Sequence, residues 1–112
     1  MVAYLPDAGD VISINFDPQA GHEQAGRRPA LVLSPRGYNK KSSLAVVVPI
    51  TNQVKGYPFE VPMAPKNSVT GAVLADQLKS VDWNARQAKF IEKAPTVLSK
   101  VQGVLKALLG LQ

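Results

Sequence analysis

The sequence predicts an α+β domain that is mainly antiparallel β: a small barrel of short strands with one helix at its C-terminal end. Three observations carry this. Apolar runs of five to seven residues recur between turns rich in Gly, Pro and Asn. Those runs are rich in β-branched residues. Helical periodicity is clear only after Pro95. Short strands that cannot each build a core must close on one another, and a barrel is the compact way to do so. At 112 residues the chain fits one domain, 1–112, with no room for a second core.

"DVISINF", Asp10 to Phe16, alternates, with Ile12, Ile14 and Phe16 on one face, and reads as a half-buried strand. "PALVLS", Pro29 to Ser34, reads as a more fully buried one. "PRGYNKKSS" reads as a turn-rich basic loop. "LAVVVPI", Leu44 to Ile50, reads as a central strand. Pro49 belongs near its end, because proline has no N–H for an interior ladder. "TNQVKG" is the next loop, and short strands follow at "YPFEV", "AVLADQLKSV" and "AKFIE". From Pro95 onward Val97, Leu98, Val101, Val104, Leu105, Leu108 and Leu109 recur at helical spacing. Pro95 suits a first helical position and Gly110 a stop. Gly103, mid-helix, costs roughly 1 kcal/mol relative to alanine and predicts a close approach to the sheet.

Composition narrows the function. With no cysteine, disulfide frameworks, cysteine zinc sites and thiol catalysis are excluded. The start, "MVAYLPDAGD", has no basic segment followed by an apolar one, and no run is long enough to span a bilayer. A cytoplasmic protein without membrane contact is expected. The net charge is +5. Six basic residues lie between His22 and Tyr57 (Arg27, Arg28, Arg36, Lys40, Lys41, Lys55) with one acid, Glu23. The rest of the chain balances, seven against seven. A basic stripe suits RNA, DNA or an acidic protein. On charge alone a solubilising surface is the plainer explanation.

"GHEQAGRRPALVLSP" holds the chain's one histidine beside a glutamate and two arginines. Arg28 precedes Pro29, so its backbone is biased toward extended geometry at the start of a strand. A guanidinium is a planar fork that matches two phosphate oxygens and stays charged, so it can stabilise a phosphorane-like transition state. It does not readily take a proton. Glu23 and His22 are the nearest candidates for a base. Alternatively, Glu23 pairs with Arg28 and orients it. The plainer readings are a surface ion pair and a solvated loop histidine. Thr51 follows "VVVPI" and can donate to a phosphate oxygen or simply close a turn. Asp76, in an otherwise apolar stretch, calls for a partner such as an arginine. Trp83, Tyr38, Tyr57 and Phe59 can stack on bases or fill the core, and Phe59, after an exposed loop, is the best placed.

One histidine and scattered carboxylates make neither a zinc site nor a two-metal site, so no metal or other cofactor is expected. A phosphodiesterase of these parts needs an internal nucleophile, which RNA supplies in its 2′-OH and DNA does not. The expected products are a 2′,3′-cyclic phosphate and a 5′-hydroxyl.

Three ordered blocks, "GDVISINFDPQAGHEQAGRRPALVLSP", "VVVPITNQVKGYPFEV" and "AVLADQLKSVDWNAR", resemble the MazF/PemK family of type II toxin–antitoxin endoribonucleases. The resemblance implies a homodimeric SH3-like barrel of MazF/PemK/CcdB type. It implies an mRNA interferase that cuts single-stranded RNA at short sequences. It also implies a cognate acidic, MazE-like antitoxin whose C-terminal segment occupies the RNA-binding surface. By the same resemblance the catalytic arginine falls on Arg28 in "RRP" and the catalytic threonine on Thr51 in "PIT". Glu23 matches a supporting glutamate of the MazF branch. His22 and Asp76 match the histidine and aspartate assigned in the PemK branch, but that branch's accompanying arginine falls on Leu74. Asn39, Lys55, Phe59, Asp76, Gln77 and Lys79 are the expected substrate contacts. Two other classes stand beside this one. A non-catalytic gyrase poison of CcdB type is associated with a C-terminal tryptophan, whereas this chain ends in "LLGLQ". A plain RNA-binding barrel would not need both Arg28 and Thr51.

Overall fold

The computed structural model describes residues 4–16 and 26–112. Seven strands and two helices follow in the order β1 (Asp10–Asn15), β2 (Arg27–Val32), α1 (Arg36–Ser42), β3 (Leu44–Thr51), β4 (Glu60–Pro62), β5 (Ala72–Leu74), β6 (Lys79–Asp82), β7 (Lys89–Lys93) and α2 (Pro95–Leu109). Every pairing is antiparallel. β3 is the hub. One side pairs with β2; the other pairs with β6 over Leu44–Val47 and with β5 over Ile50–Thr51. Pro49 sits in the gap between those two partners, where its missing N–H interrupts neither ladder.

The strands β6-β3-β2-β1-β7 form a run whose two edges, β6 and β7, are consecutive in the chain. A tight turn joins them, with Arg86 N–H donating to Asp82 O at 3.0 Å and Ala88 N–H to Trp83 O at 2.9 Å. The sheet therefore rolls on itself. Strand alternation then yields two apolar faces. Ile12, Ile14, Phe16, Ala30, Val32, Ala45, Val47 and Val81 form the inner one. Val11, Leu31, Val48 and Ile50 form the outer one, covered by the β4–β5 hairpin and by α2. β1 is thus buried on both faces over Asp10–Ile12, not half-buried as its alternation suggests.

Helix α2 contributes Val97, Val101 and Leu105, spaced four apart on one face. Burying side chains of this size stabilises by about 1.5–3 kcal/mol each. Pro95 opens the helix, and Gly110, at φ 68°, closes it, with Leu111 N–H donating to Lys106 O at 2.8 Å. The face does not continue to the end: Leu108 and Leu109 are exposed. Gly103 is also exposed with open space around it, so the expected close approach to the sheet is absent.

Other boundaries moved. β2 starts at Arg27, β4 is only Glu60–Pro62, and "AVLADQLKSV" breaks into β5, a 3₁₀ turn (Ala75–Gln77) and β6. The basic loop after Pro35 is the helix α1. Its propensity is poor, and tertiary bonds hold it. Asn39, fully buried, donates through Nδ2 to Pro6 O and Ser34 O, both at 2.9 Å. Its Oδ1 accepts from Ser34 Oγ at 2.5 Å, and its carbonyl accepts from Trp83 Nε1 at 3.0 Å. Asp7 Oδ1 accepts the Arg36 N–H at 2.9 Å, which holds the Asp7 carboxyl below its usual range. No described helix is long and apolar enough to cross a membrane.

Candidate active site

Phosphate chemistry here needs a charged fork and a hydroxyl on rigid backbone, within reach of each other. The β2–β3 register supplies this. Its pairs are Ala30–Pro49, Leu31–Val48 and Val32–Val47. That ladder ends two residues short of Arg28 and Thr51, which by alternation along their strands share one of its faces. Directly opposed antiparallel residues share a face. That face is the inner one, since Ala30 and Val47 belong to the inner cluster. Arg28 is exposed and Thr51 buried, so the pair stands where the interior opens to solvent. Lys79, paired with Val47 of β3, lies over the Phe16 ring, its Nζ 5.8 Å from the ring centroid.

The two arginines have separate fates. Arg27 points to the other face, and its Nη2 donates to Gln87 O at 2.6 Å, tying β2 to the β6–β7 turn. Arg28, one residue on, faces the mouth. Thr51 Oγ1 accepts the Gln53 N–H at 3.0 Å. That bond fixes the rotamer and leaves the hydroxyl proton to donate outward.

Beside Thr51 opens a cleft of about 360 Å³, lined by Gln53, Lys55, Tyr57 and Phe59 on one side and by Leu74, Asp76 and Gln77 on the other. Its loop wall is ordered by Glu60, whose carboxylate accepts the N–H groups of Lys55 (3.1 and 3.2 Å) and Gly56 (2.8 Å). Gly56 lies at φ 78°, a left-handed conformation that suits glycine. Ala75 N–H donates to Phe59 O at 3.1 Å and joins the two walls. Tyr57 and Phe59 expose 59% and 39% of their surface, large for aromatics, so their rings are available for stacking. Gln77 Oε1 is buried and accepts no hydrogen bond. A ligand N–H would satisfy it.

The structure thus brings together Thr51, Lys55, Phe59, Asp76 and Gln77 around one cleft; Arg28 and Lys79 are not among its lining residues. Asp76 is exposed on the cleft wall and needs no burial partner, contrary to the expectation drawn from its apolar neighbours. Asn39 is a correction of another kind. At 0% exposure, with both ends of its amide bonded inside the fold, it offers nothing to RNA. Trp83 packs on the inner core. His22 and Glu23 lie outside the described residues. Sequence reasoning missed Gln53 as a cleft wall and Glu60 as organiser of the loop, and ranked Tyr57 below Phe59. The signal for Glu60 was available: an acid soon after "VKG", where a turn leaves N–H groups open.

Comparison with known proteins shows the family and the fold. Residues 7–109 match the model of the PemK-like, MazF-like toxin of type II toxin–antitoxin systems. The chain is 48% identical over 108 residues to the endoribonuclease toxin MazF of Escherichia coli K12, covering 96% of each. Its fold matches crystal structures from Deinococcus radiodurans. For MazF alone the TM-score is 0.93 at 52% identity, covering 97% of this chain and 100% of that one. For a MazE–MazF structure it is 0.88 at 51% identity, covering 98% and 100%. The chain belongs to the MazF/PemK family of type II toxin–antitoxin toxins.

Proposed function

We propose that this chain, as a single domain spanning 1–112, is the endoribonuclease toxin of a toxin–antitoxin pair and cleaves single-stranded RNA in the cytoplasm without a metal ion. The observation that supports the mechanism is the cleft beside Thr51 with its exposed aromatic rings, with Arg28 at a strand position that shares the inner face.

The RNA 2′-oxygen attacks the adjacent phosphorus while the P–O5′ bond breaks. The 2′-hydroxyl proton passes to a base, Glu23 or His22, and the 5′-oxygen leaves as a hydroxyl after taking a proton from solvent, to which the base returns its own. The products are a 2′,3′-cyclic phosphate and a 5′-hydroxyl. Arg28 grips the non-bridging oxygens, whose charge grows in the transition state. The Thr51 hydroxyl donates to the same group. Preorganised donors of this kind each supply about 3–4 kcal/mol of barrier reduction. Tyr57 and Phe59 stack on bases, Lys55 and Lys79 meet phosphates, and Asp76 and Gln77 contact base edges.

The MazE–MazF structure supports an acidic, MazE-like antitoxin as partner, and family membership supports a homodimer. Lys55 on the cleft wall, with Arg28 and Lys79 on the inner face, suits both RNA and an acidic segment competing for the site.

The test incubates the protein with unstructured RNA in EDTA and maps the ends. Cleavage that survives EDTA, leaves cyclic phosphate, and stops when the mapped position carries a 2′-deoxy sugar is the expected result. Cleavage of the 2′-deoxy substrate would overturn internal attack. No cleavage by folded, antitoxin-free protein would favour a binding or gyrase-poison function.

A further inference from the structure

Thr51 ends a strand, where backbone usually gains freedom, yet its hydroxyl must hold a fixed place. Something outside β3 has to hold it. Gly71 approaches the Thr51–Asn52 backbone more closely than a residue with a side chain could. A Cβ at position 71 would lie 2.0 Å from Thr51 O, 2.9 Å from Thr51 C and 3.2 Å from Asn52 Cα. Gly71 also sits at φ 105°, a conformation open mainly to glycine. Its neighbour Thr70 donates from Oγ1 to Asn52 Oδ1 at 3.3 Å, and Ala72 pairs with Thr51 in the ladder.

This contact stands on a braced support. The segment between β4 and β5 is anchored on its far side to β7. Glu92 accepts the N–H groups of Ser68 and Val69, both at 2.9 Å, and Asn67 Nδ2 donates to Lys93 O at 3.1 Å. Gly71 O accepts from Met63 N–H at 2.9 Å. A methyl added at position 71 would be resisted from behind by these bonds. The softer neighbour is the strand end, so Thr51 would move.

We propose that Gly71, assisted by Thr70, is a positioning residue for the reaction: it clamps the end of β3 so that the Thr51 hydroxyl stays in register with Arg28. This rests on the reading of Thr51 as a catalytic residue. Opening a 2.0 Å separation to a tolerable contact requires a shift on the order of 1 Å, enough to cost about 10- to 100-fold in rate.

The experiment is a double-mutant cycle on full-length protein, with kcat and KM measured on a short RNA bearing the mapped cleavage sequence. Gly71→Ala should lower kcat about 10- to 100-fold with KM within about threefold. In a Thr51→Ala background the same change should have almost no further effect on kcat, because no hydroxyl remains to misplace. Gly9→Ala is the control. Gly9 has a similar φ of 91°, but its added methyl meets only the Leu98 side chain at 3.4 Å, so stability should fall while kcat holds. An undiminished kcat for Gly71→Ala, or an equal loss in both backgrounds, overturns the proposal. Full activity of Thr51→Ala overturns the reading of Thr51 and this proposal with it. If Gly71→Ala does not fold, the exposed Thr70→Val decides. It should lower kcat about two- to tenfold in the Thr51 background alone, and an unchanged kcat overturns the clamp.

Discussion

The two ends of the rolled sheet treat their buried polar groups in opposite ways. At the closed end, α1 plugs the interior. Asn39, Ser34 and Trp83 bond to one another and to backbone. Tyr4 donates to the buried Asp10 at 2.5 Å, and Lys93 donates to the same carboxylate at 2.9 Å. Burial and that bond push the Tyr4 hydroxyl pKa far upward. At the open end Arg28 and the aromatics of the cleft face solvent, and Gln77 Oε1 is buried without a donor. The closed end spends its polar groups on stability. The open end holds them ready for a substrate. The same two strands, β2 and β3, run between the two, so the stable end fixes the geometry of the reactive one.

This contrast breaks most visibly at Arg28. Arg28→Ala should lower cleavage about 10²- to 10³-fold while the melting temperature stays nearly constant, because the side chain is exposed. Single-turnover rates with matched thermal melts check this. A large loss of stability would mean that Arg28 belongs to the scaffold.

Asn39→Ala should do the reverse. It strands the Ser34 hydroxyl and the carbonyls of Pro6 and Ser34, at about 3 kcal/mol in total. Urea denaturation measures it. Specific activity of the folded fraction should hold, since Asn39 lies outside the cleft.

Phe59→Ala sharpens the picture of the open end. Loss of a stacking platform should cost about 1–3 kcal/mol of binding, read as a rise in KM. An unchanged KM would move base stacking to Tyr57.

The smallest effect concerns pH. The Arg36 N–H, foremost, and the Ala8 N–H lower the Asp7 pKa in the folded state. A depressed carboxylate stabilises above its unfolded pKa, near 3.8, and that contribution fades as pH falls through the lower folded value. Asp7→Asn should therefore destabilise at pH 7, by less than about 1 kcal/mol given its solvent contact, and make no difference at the acid limit. Equal destabilisation at both pH values would assign the effect to packing.

How much of this could be read in advance varies with distance along the chain. The alternation of Ile12, Ile14 and Phe16, the β-branched run of β3 and the spacing in α2 appear in the fold where the sequence places them. These patterns are local, and each follows from the geometry of one element. Helix α1 escaped because its residues favour turns; its stability comes from Pro6, Ser34 and Trp83, contacts up to 44 residues away. The same limit applied to Asn39, which in sequence resembles any polar loop residue. Leu108 and Leu109 repeat the lesson in reverse, since helical spacing cannot tell where the surface beneath a helix ends.

By itself, then, the sequence determined the strand faces, the late helix, the concentration of positive charge and the placement of Arg28 ahead of a proline at the start of a strand. Tertiary structure alone separated the two arginines. Arg27 is committed to Gln87, 60 residues on, and alternation in β2 turns Arg28 the other way. It also decided that Gly71 would meet Thr51, and that Glu60 would order the cleft wall. Side-chain direction along an element is periodic and therefore written in the chain. Contact between elements depends on how a whole sheet rolls, and no short stretch of residues contains that information.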